Sequence, residues 1–220
     1  MPRAYRSDRR QAQAMQTRRR VLAAATWQFE SRGWAGTTMR GVAGEAGLSV
    51  PTVETLFGSK AGLLKAAIDV AIVGDDEEVP VLDRSWTAKA YDAESAAGVL
   101  DAVAAVIAPA QDRSAGLVLA VLEGAGADPD LARLAEEMVA QRRRTASWII
   151  DVLTAKGPLR EDREAATDTL WTLMDPAVFD RLVRRLGWSV GRYRAWFASS
   201  AEHLLVPDLA PAPPRRKATR

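Results

Sequence analysis

Residues 37–60 read TTMRGVAGEAGLSVPTVETLFGSK, and the spacing of capping, small and apolar residues in this stretch decides the fold. Thr37 and Thr38 stand just before Met39-Arg40-Gly41-Val42-Ala43, where a threonine hydroxyl accepts a bond from an N–H left over at a helix start. A short helix begins there. Gly47 ends it, because the reversal needs a positive φ that glycine adopts without strain. Ser49 offers a fresh cap, and Pro51 falls in the first turn of the next helix, where its missing N–H costs nothing. Two short helices crossing at about 90 to 120° share a very small core. Val42 and Ala46 supply it from the first helix, Leu48 plugs the turn, and Val53 and Leu56 supply it from the second. Ala43 is small where the helices cross closely. Val50, Pro51, Thr52 and Thr55 face outward and are slim or able to hydrogen-bond, which insertion into a nucleic-acid groove requires and packing alone does not.

Working outward, Val21, Leu22, Ala25 and Phe29 recur at helical spacing, and Gly33 stands where a C-terminal cap belongs. Residues 1–13 are polar and basic without apolar periodicity and are expected to form a flexible arm. On the other side Ser59 caps a fourth helix that runs through Leu63, Leu64, Ala67 and Ile68 to about Val73. The acidic run from Asp75 to Glu78, followed by Pro80, then breaks the pattern into a loop. Beyond it helical periodicity returns at about 94–108, 113–123, 129–155, 162–174 and 189–205, with no strand-like alternation. Short connectors at 124–128, 156–158 and 175–176 imply antiparallel neighbours in a bundle. The expected organisation is all-α: an arm over 1–13, a helix-turn-helix module over 14–58, a linking helix and helical bundle over 59–206, and a disordered tail over 207–220. That tail carries Pro211, Pro213 and Pro214, then Arg215, Arg216, Lys217 and Arg220, which would add nonspecific attraction for phosphate.

Charge is distributed unevenly. Residues 1–60 hold ten Arg and Lys against four Asp and Glu, a balance of +6, so the remaining 160 residues carry −4 within a whole-chain net of +2. A basic head on a mildly acidic body suits phosphate binding at one end; a solvated arginine-rich face is the plainer alternative. No apolar run approaches the roughly 18 residues of a spanning helix, and the arginine-rich start has no apolar stretch after it. With no cysteine, the expectation is a soluble cytoplasmic protein. The single histidine, His203, lacks nearby ligands, so no metal and no cofactor are expected. Catalysis would have to rest on carboxylates such as Glu136 and Glu137, which read as a solvated face. The chain is therefore not read as an enzyme.

Taken together, Gly33, Thr37-Thr38, Ala43, Ala46-Gly47-Leu48-Ser49, and Phe57-Gly58-Ser59-Lys60 followed by Gly62-Leu63-Leu64 resemble the TetR (tetracycline repressor) family of transcriptional regulators over roughly residues 15–70. The resemblance implies phosphate contacts at Thr38 and Lys60, the latter aided by the positive start of the fourth helix. It places Arg40 where a family member reads guanine with an arginine; a phosphate contact is the alternative there. Ser49, Val50, Pro51, Thr52 and Thr55 would face the major groove, with Val50 and Pro51 suited to thymine methyl groups. Glu54 departs from the pattern, since the family most often has a phosphate-binding tyrosine there. Its carboxylate would repel phosphate, and could accept from cytosine or pair with an arginine instead.

The resemblance further implies a homodimer formed through the last two long helices, at Leu170, Leu173, Tyr193, Trp196, Phe197, Ser200 and Leu204; packing of these aromatics within the monomer is the alternative. The double-stranded DNA partner is then an approximate palindrome, because two recognition helices must enter successive major grooves about 34 to 36 Å apart. A small-molecule effector would sit in the bundle, with Val99, Val103, Ile107, Leu117, Val121 and Trp148 as candidate walls, although each also reads as ordinary core. Release of DNA by the effector is the implied outcome. The competing reading is a helical DNA-binding or protein-interaction module that senses nothing.

Overall fold

The structure is a computed structural model that describes residues 2–75 and 79–207, with side chains from residue 12 onward. Among the described residues it contains ten α-helices and no strand. The first helix, α1 (Pro2–Gly36), is longer than the sequence pattern indicates: the stretch expected as an arm continues its helical backbone. No Gly or Pro occurs between Pro2 and Gly33, and Arg, Gln and Ala are good helix formers, so loss of the apolar face does not end the helix. Gly33, with φ 64° and ψ −172°, kinks it one turn before its end.

Each start in the next three helices is fixed by one hydroxyl. In α2 (Met39–Ala46) Thr38 accepts from the Gly41 N–H at 3.0 Å; in α3 (Val50–Phe57) Ser49 accepts from Thr52 at 3.3 Å; in α4 (Lys60–Val73) Ser59 accepts from Gly62 at 3.1 Å. Gly47, at φ 64°, turns the chain between α2 and α3. Val42, Ala43, Ala46 and Val53 are buried against Val21, Leu22, Ala25 and Phe29 of α1 and Leu63, Leu64, Ala67 and Ile68 of α4, as the apolar pattern requires. Leu48 and Leu56 close the rim of the same cluster.

After a 3-10 turn (Val81–Asp83) come α5 (Trp86–Asp92), α6 (Ala96–Gly124), α7 (Pro129–Thr154), α8 (Arg163–Leu173), α9 (Pro176–Phe179) with a π-helical segment (Asp180–Arg185), and α10 (Val190–Leu205). The two helices expected at 94–108 and 113–123 are one. Pro109 removes a single backbone bond inside α6. Burial of Val99, Leu100, Val103, Ala104 and Ala108 before it, and Ala115, Leu117, Val118 and Val121 after it, outweighs that loss. The 3-10 turn, α5, α9 and the π-helical segment are too short to show a period in sequence, and they went unread.

By length and composition α6 is apolar enough to cross a membrane, which corrects the expectation that no run comes close. Here it is the axis of the molecule, packed by α1, α4, α5, α7, α9 and α10. Its first half belongs to the core built with α5, α7, α8 and α10, whereas Leu117, Val118 and Val121 belong to the core of α1–α4. Residues 76–78 of the acidic run and the expected tail from 208 lie outside the described residues.

Gly62 marks the tightest joint. A Cβ there would run into the backbone carbonyl oxygen of Phe57, the last residue of α3. Gly62→Ala should lower stability by about 1–3 kcal/mol, a fall of several degrees in thermal midpoint, because backbone on backbone has no rotamer to yield. Thermal denaturation that left the midpoint unchanged would show that α4 shifts freely against α3.

Candidate nucleic-acid interface and effector cavity

The outer edge of the helix pair is set by α3. Thr38, Arg40, Ser49, Pro51, Glu54 and Thr55 are exposed, and Val50, Thr52 and Lys60 are half-buried. All nine expected contact residues thus lie on or beside the helix pair. The Ser49 and Thr52 hydroxyls hydrogen-bond each other at 2.8 Å, and the Thr55 hydroxyl donates to the Pro51 carbonyl at 2.7 Å. Their side chains are thereby held in fixed rotamers, with acceptor lone pairs still open. Glu54 makes no ion pair among the described residues, and the arginine partner considered for it is not found among them.

Several of the basic residues serve the fold. Arg20 donates to the Ala46 carbonyl and so caps the end of α2, with its Nη2 lying 3.0 Å from where a Gly47 Cβ would be. The Arg18 guanidinium lies over the Phe57 ring, 4.9 Å from its centroid. Lys60 donates to the Trp34 carbonyl and sits 3.9 Å from the centroid of the Trp34 ring. Burial pushes its pKa below the ordinary lysine value, partly offset by Asp128. Its ammonium is therefore tied to the end of α1, and the sequence pattern carried no sign of this. Arg40, by contrast, is exposed and forms no ion pair among the described residues.

Between α4, α6 and α7, under the 3-10 turn and α5, lies a cavity of about 400 Å³. Of the residues expected to line it, Val103 and Ile107 do. Val99, Leu117 and Val121 are fully buried in the two cores, and Trp148 packs edge-on against Trp86 and Tyr91, with centroids 5.1 and 5.3 Å away. They were misplaced because helical spacing marks an inward face without showing which part of it is left unfilled. The walls missed in sequence include Ile68 and Ile72 of α4, Leu134 and Met138 of α7, and Met174. Arg142 lines the same cavity, paired with Asp175 at 2.9 Å and stacked on Trp171 at 4.5 Å; burial lowers its guanidinium pKa.

The residues expected at a dimer interface divide. Leu170, Tyr193 and Phe197 are fully buried in this chain's own core and cannot touch a second copy. The aromatic face of α10 turns inward, where Tyr193 meets Phe179 edge-on at 4.8 Å and desolvation drives its pKa well up. Leu173, Trp196 and Ser200 are half-buried, and Leu204 is 44% exposed. Leu186, 68% exposed just before α10, was not anticipated.

A capped helix pair with a slim, exposed second helix, carried on a helical body with an internal cavity, defines the class: an all-helical helix-turn-helix DNA-binding regulator. Residues 21–67 match the family model described as "Bacterial regulatory proteins, tetR family". Over these residues the helix-turn-helix module is similar to that of the tetR family of regulators. No curated protein sequence matches it. Among solved structures, a transcriptional regulator from Saccharomonospora viridis in complex with choline is similar over 88% of this chain and 99% of its own, at 21% identity and a TM-score of 0.64. A TetR-family regulator from Mesorhizobium loti is similar over 86% and 94%, at 22% identity and a TM-score of 0.58. The fatty acid degradation regulator FadR from Bacillus halodurans is similar over 84% and 93%, at 13% identity and a TM-score of 0.64. At these identities the likeness speaks for the fold.

The tie between Lys60 and Trp34 changes what a substitution there should do. Lys60→Ala is expected to lower the thermal midpoint and to weaken every DNA sequence alike, while the slope of log affinity against log salt stays as in the parent. A slope smaller by about one would instead make the ammonium a phosphate contact.

Proposed function

We propose that the protein is a repressor that grips an approximately palindromic operator as a homodimer and releases it when a small molecule fills the cavity between α4, α6 and α7. The observation that carries this reading is the position of α4. Its first half, at Leu63 and Leu64, is core of the helix-turn-helix module, and its second half, at Ile68 and Ile72, is wall of the cavity. Whatever displaces the second half moves the first. An effector releases DNA only if it binds the displaced arrangement more tightly than the DNA-bound one.

In this reading α3 enters the major groove. Val50 and Pro51 meet thymine methyl groups, Thr52 and Thr55 offer hydroxyls, and the Ser49 and Thr38 ends of the helices approach phosphate. Arg40 reads a base, Glu54 accepts from cytosine N4, and Lys60 holds the module's geometry. The basic helical extension over residues 2–13 supplies further attraction for phosphate. Dimerisation uses the outer edge of α10, with Trp196, Ser200 and Leu204, together with Leu173 and Leu186. Two copies then set their α3 helices about 34 to 36 Å apart.

Selection of bound sequences from random duplexes by the purified protein tests the proposal as a whole. The expected winner is an inverted repeat whose half-site centres lie one helical turn apart, bound with affinity that falls steeply with salt. Arg40→Ala should then relax choice at one base pair per half-site by about 1 to 3 kcal/mol and leave the others unchanged. Enrichment of no sequence, or affinity indifferent to salt, would sink the reading. Equal loss on all sequences from Arg40→Ala would move that residue to the phosphates.

A further inference from the structure

The chemistry of the cavity wall selects among possible effectors, provided that the cavity is the effector site proposed above. Most of its charges are already compensated. Lys65 pairs with Asp69 at 2.8 Å, Arg84 with both oxygens of Asp75 at 2.6 and 2.9 Å, and Arg142 with Asp175 at 2.9 Å. Arg113 gives its Nε to the Ala71 carbonyl at 2.8 Å and its Nη2 to that of Ile72 at 3.1 Å, so it lies against the negative end of α4. Glu137 and Gln141 are exposed. Nothing within the wall calls for a charged ligand.

Hydrogen bonding on the wall narrows the choice further. Three donors of the inner wall are spent inside the protein: Trp86 Nε1 on the Val81 carbonyl at 2.7 Å, Ser114 Oγ on that of Ala110 at 2.7 Å, and Thr145 Oγ1 on that of Gln141 at 3.2 Å. Arg142 has an unpartnered N–H at Nε, but that atom is buried out of reach of water. Acceptors remain. Pro109, itself on the wall, brings no N–H to the Ala105 carbonyl one turn earlier, and Ala105 also lines the cavity. Gln111 donates from Nε2 to the Met174 carbonyl at 2.7 Å. A carbonyl only accepts, so the amide nitrogen must face Met174, and Oε1 is fixed on the opposite side. That oxygen accepts no bond from the described residues and, unlike Oε1 of Gln28, is not sealed.

We propose that the effector is an uncharged, largely apolar molecule that gives one hydrogen bond, from a hydroxyl, to Gln111 Oε1. Apolar contact with Ile68, Ile72, Val103, Ile107, Leu134 and Ile149 holds its body. The hydroxyl fixes its orientation, because an open carbonyl oxygen held in place on the wall rewards a ligand that donates to it.

Calorimetry on the full chain with three probes of one shape tests this: 4-hexylphenol, 1-fluoro-4-hexylbenzene and 4-hexylbenzoate. The phenol should bind about tenfold more tightly than the fluoro compound, and the benzoate more weakly than either. Gln111→Met should bring the phenol down to the affinity of the fluoro compound and leave the latter unchanged. Equal binding of the phenol and the fluoro compound by the parent protein overturns the donor, and this comparison stands even where Gln111→Met does not fold. Tightest binding by the benzoate overturns the uncharged class. A phenol preference that survives Gln111→Met in the folded variant moves the acceptor away from Gln111. If none of the three binds, the cavity is not the effector site, and the assignment falls together with the reading on which it rests.

Discussion

The structure depends on one shared apolar surface, the buried face of α4. Leu63, Leu64, Ala67 and Ile68 are each close to fully buried, and they pack with α1–α3 on one side and with Leu117, Val118 and Val121 of α6 on the other. A helix-turn-helix core of Val42, Ala43, Ala46 and Val53 is too small to be stable alone, since apolar burial must first offset the entropy of ordering its residues. It gains the rest of its burial through α4. The head is therefore fused to the body through its own core, and no flexible linker separates them. That fusion is what allows an event among α4, α6 and α7 to reach α3 at all.

Around this surface the basic residues of the head divide into two groups with different work. Arg18, Arg20 and Lys60 hold α1 to the ends of α2, α3 and α4 by capping a carbonyl or lying over a ring. A cation at a helix C-terminus or over an aromatic face contributes on the order of 0.5 to 1 kcal/mol in the folded protein whether or not DNA is present. A count of positive charges over residues 1–60 mixes these with the ones free to meet phosphate. The balance of +6 thus overstates the phosphate contacts, and the salt dependence of binding measures the free group alone.

The helix pair was legible because each of its signals is local. Thr38, Gly47, Ser49 and Ser59 act on backbone groups within three residues, and each cap in the structure is the one the sequence implies. Pro109 misled for the same reason: locally it ends a helix, and only long-range burial on both sides keeps α6 continuous. The dimer and cavity residues failed differently. Leu170, Tyr193 and Phe197 do lie on apolar faces, but a period of 3.6 marks a face without naming what covers it, and here the chain covers them itself. Val103 and Ile107 were found, and Val99 was not distinguishable from them, because the difference is a void and voids depend on several elements at once.

In the proposed function the same geometry sets how a cavity ligand reaches the groove. At 1.5 Å per residue, the 14 residues of α4 span roughly 21 Å, so a tilt of about 5° around one end moves the other by roughly 2 Å. Arg113 binds the Ala71 and Ile72 carbonyls, which couples the far end of α4 to α6 by polar bonds as well as by packing. At the near end Gly62 brings α4 against the last carbonyl of α3, leaving no slack to absorb the movement. Fit in the groove tolerates displacements of this size poorly, because base contacts are hydrogen bonds with a narrow range of length. A ligand that prefers the tilted arrangement by a few kcal/mol is therefore sufficient to empty the operator, and one that fits both arrangements equally shifts nothing, however tightly it binds.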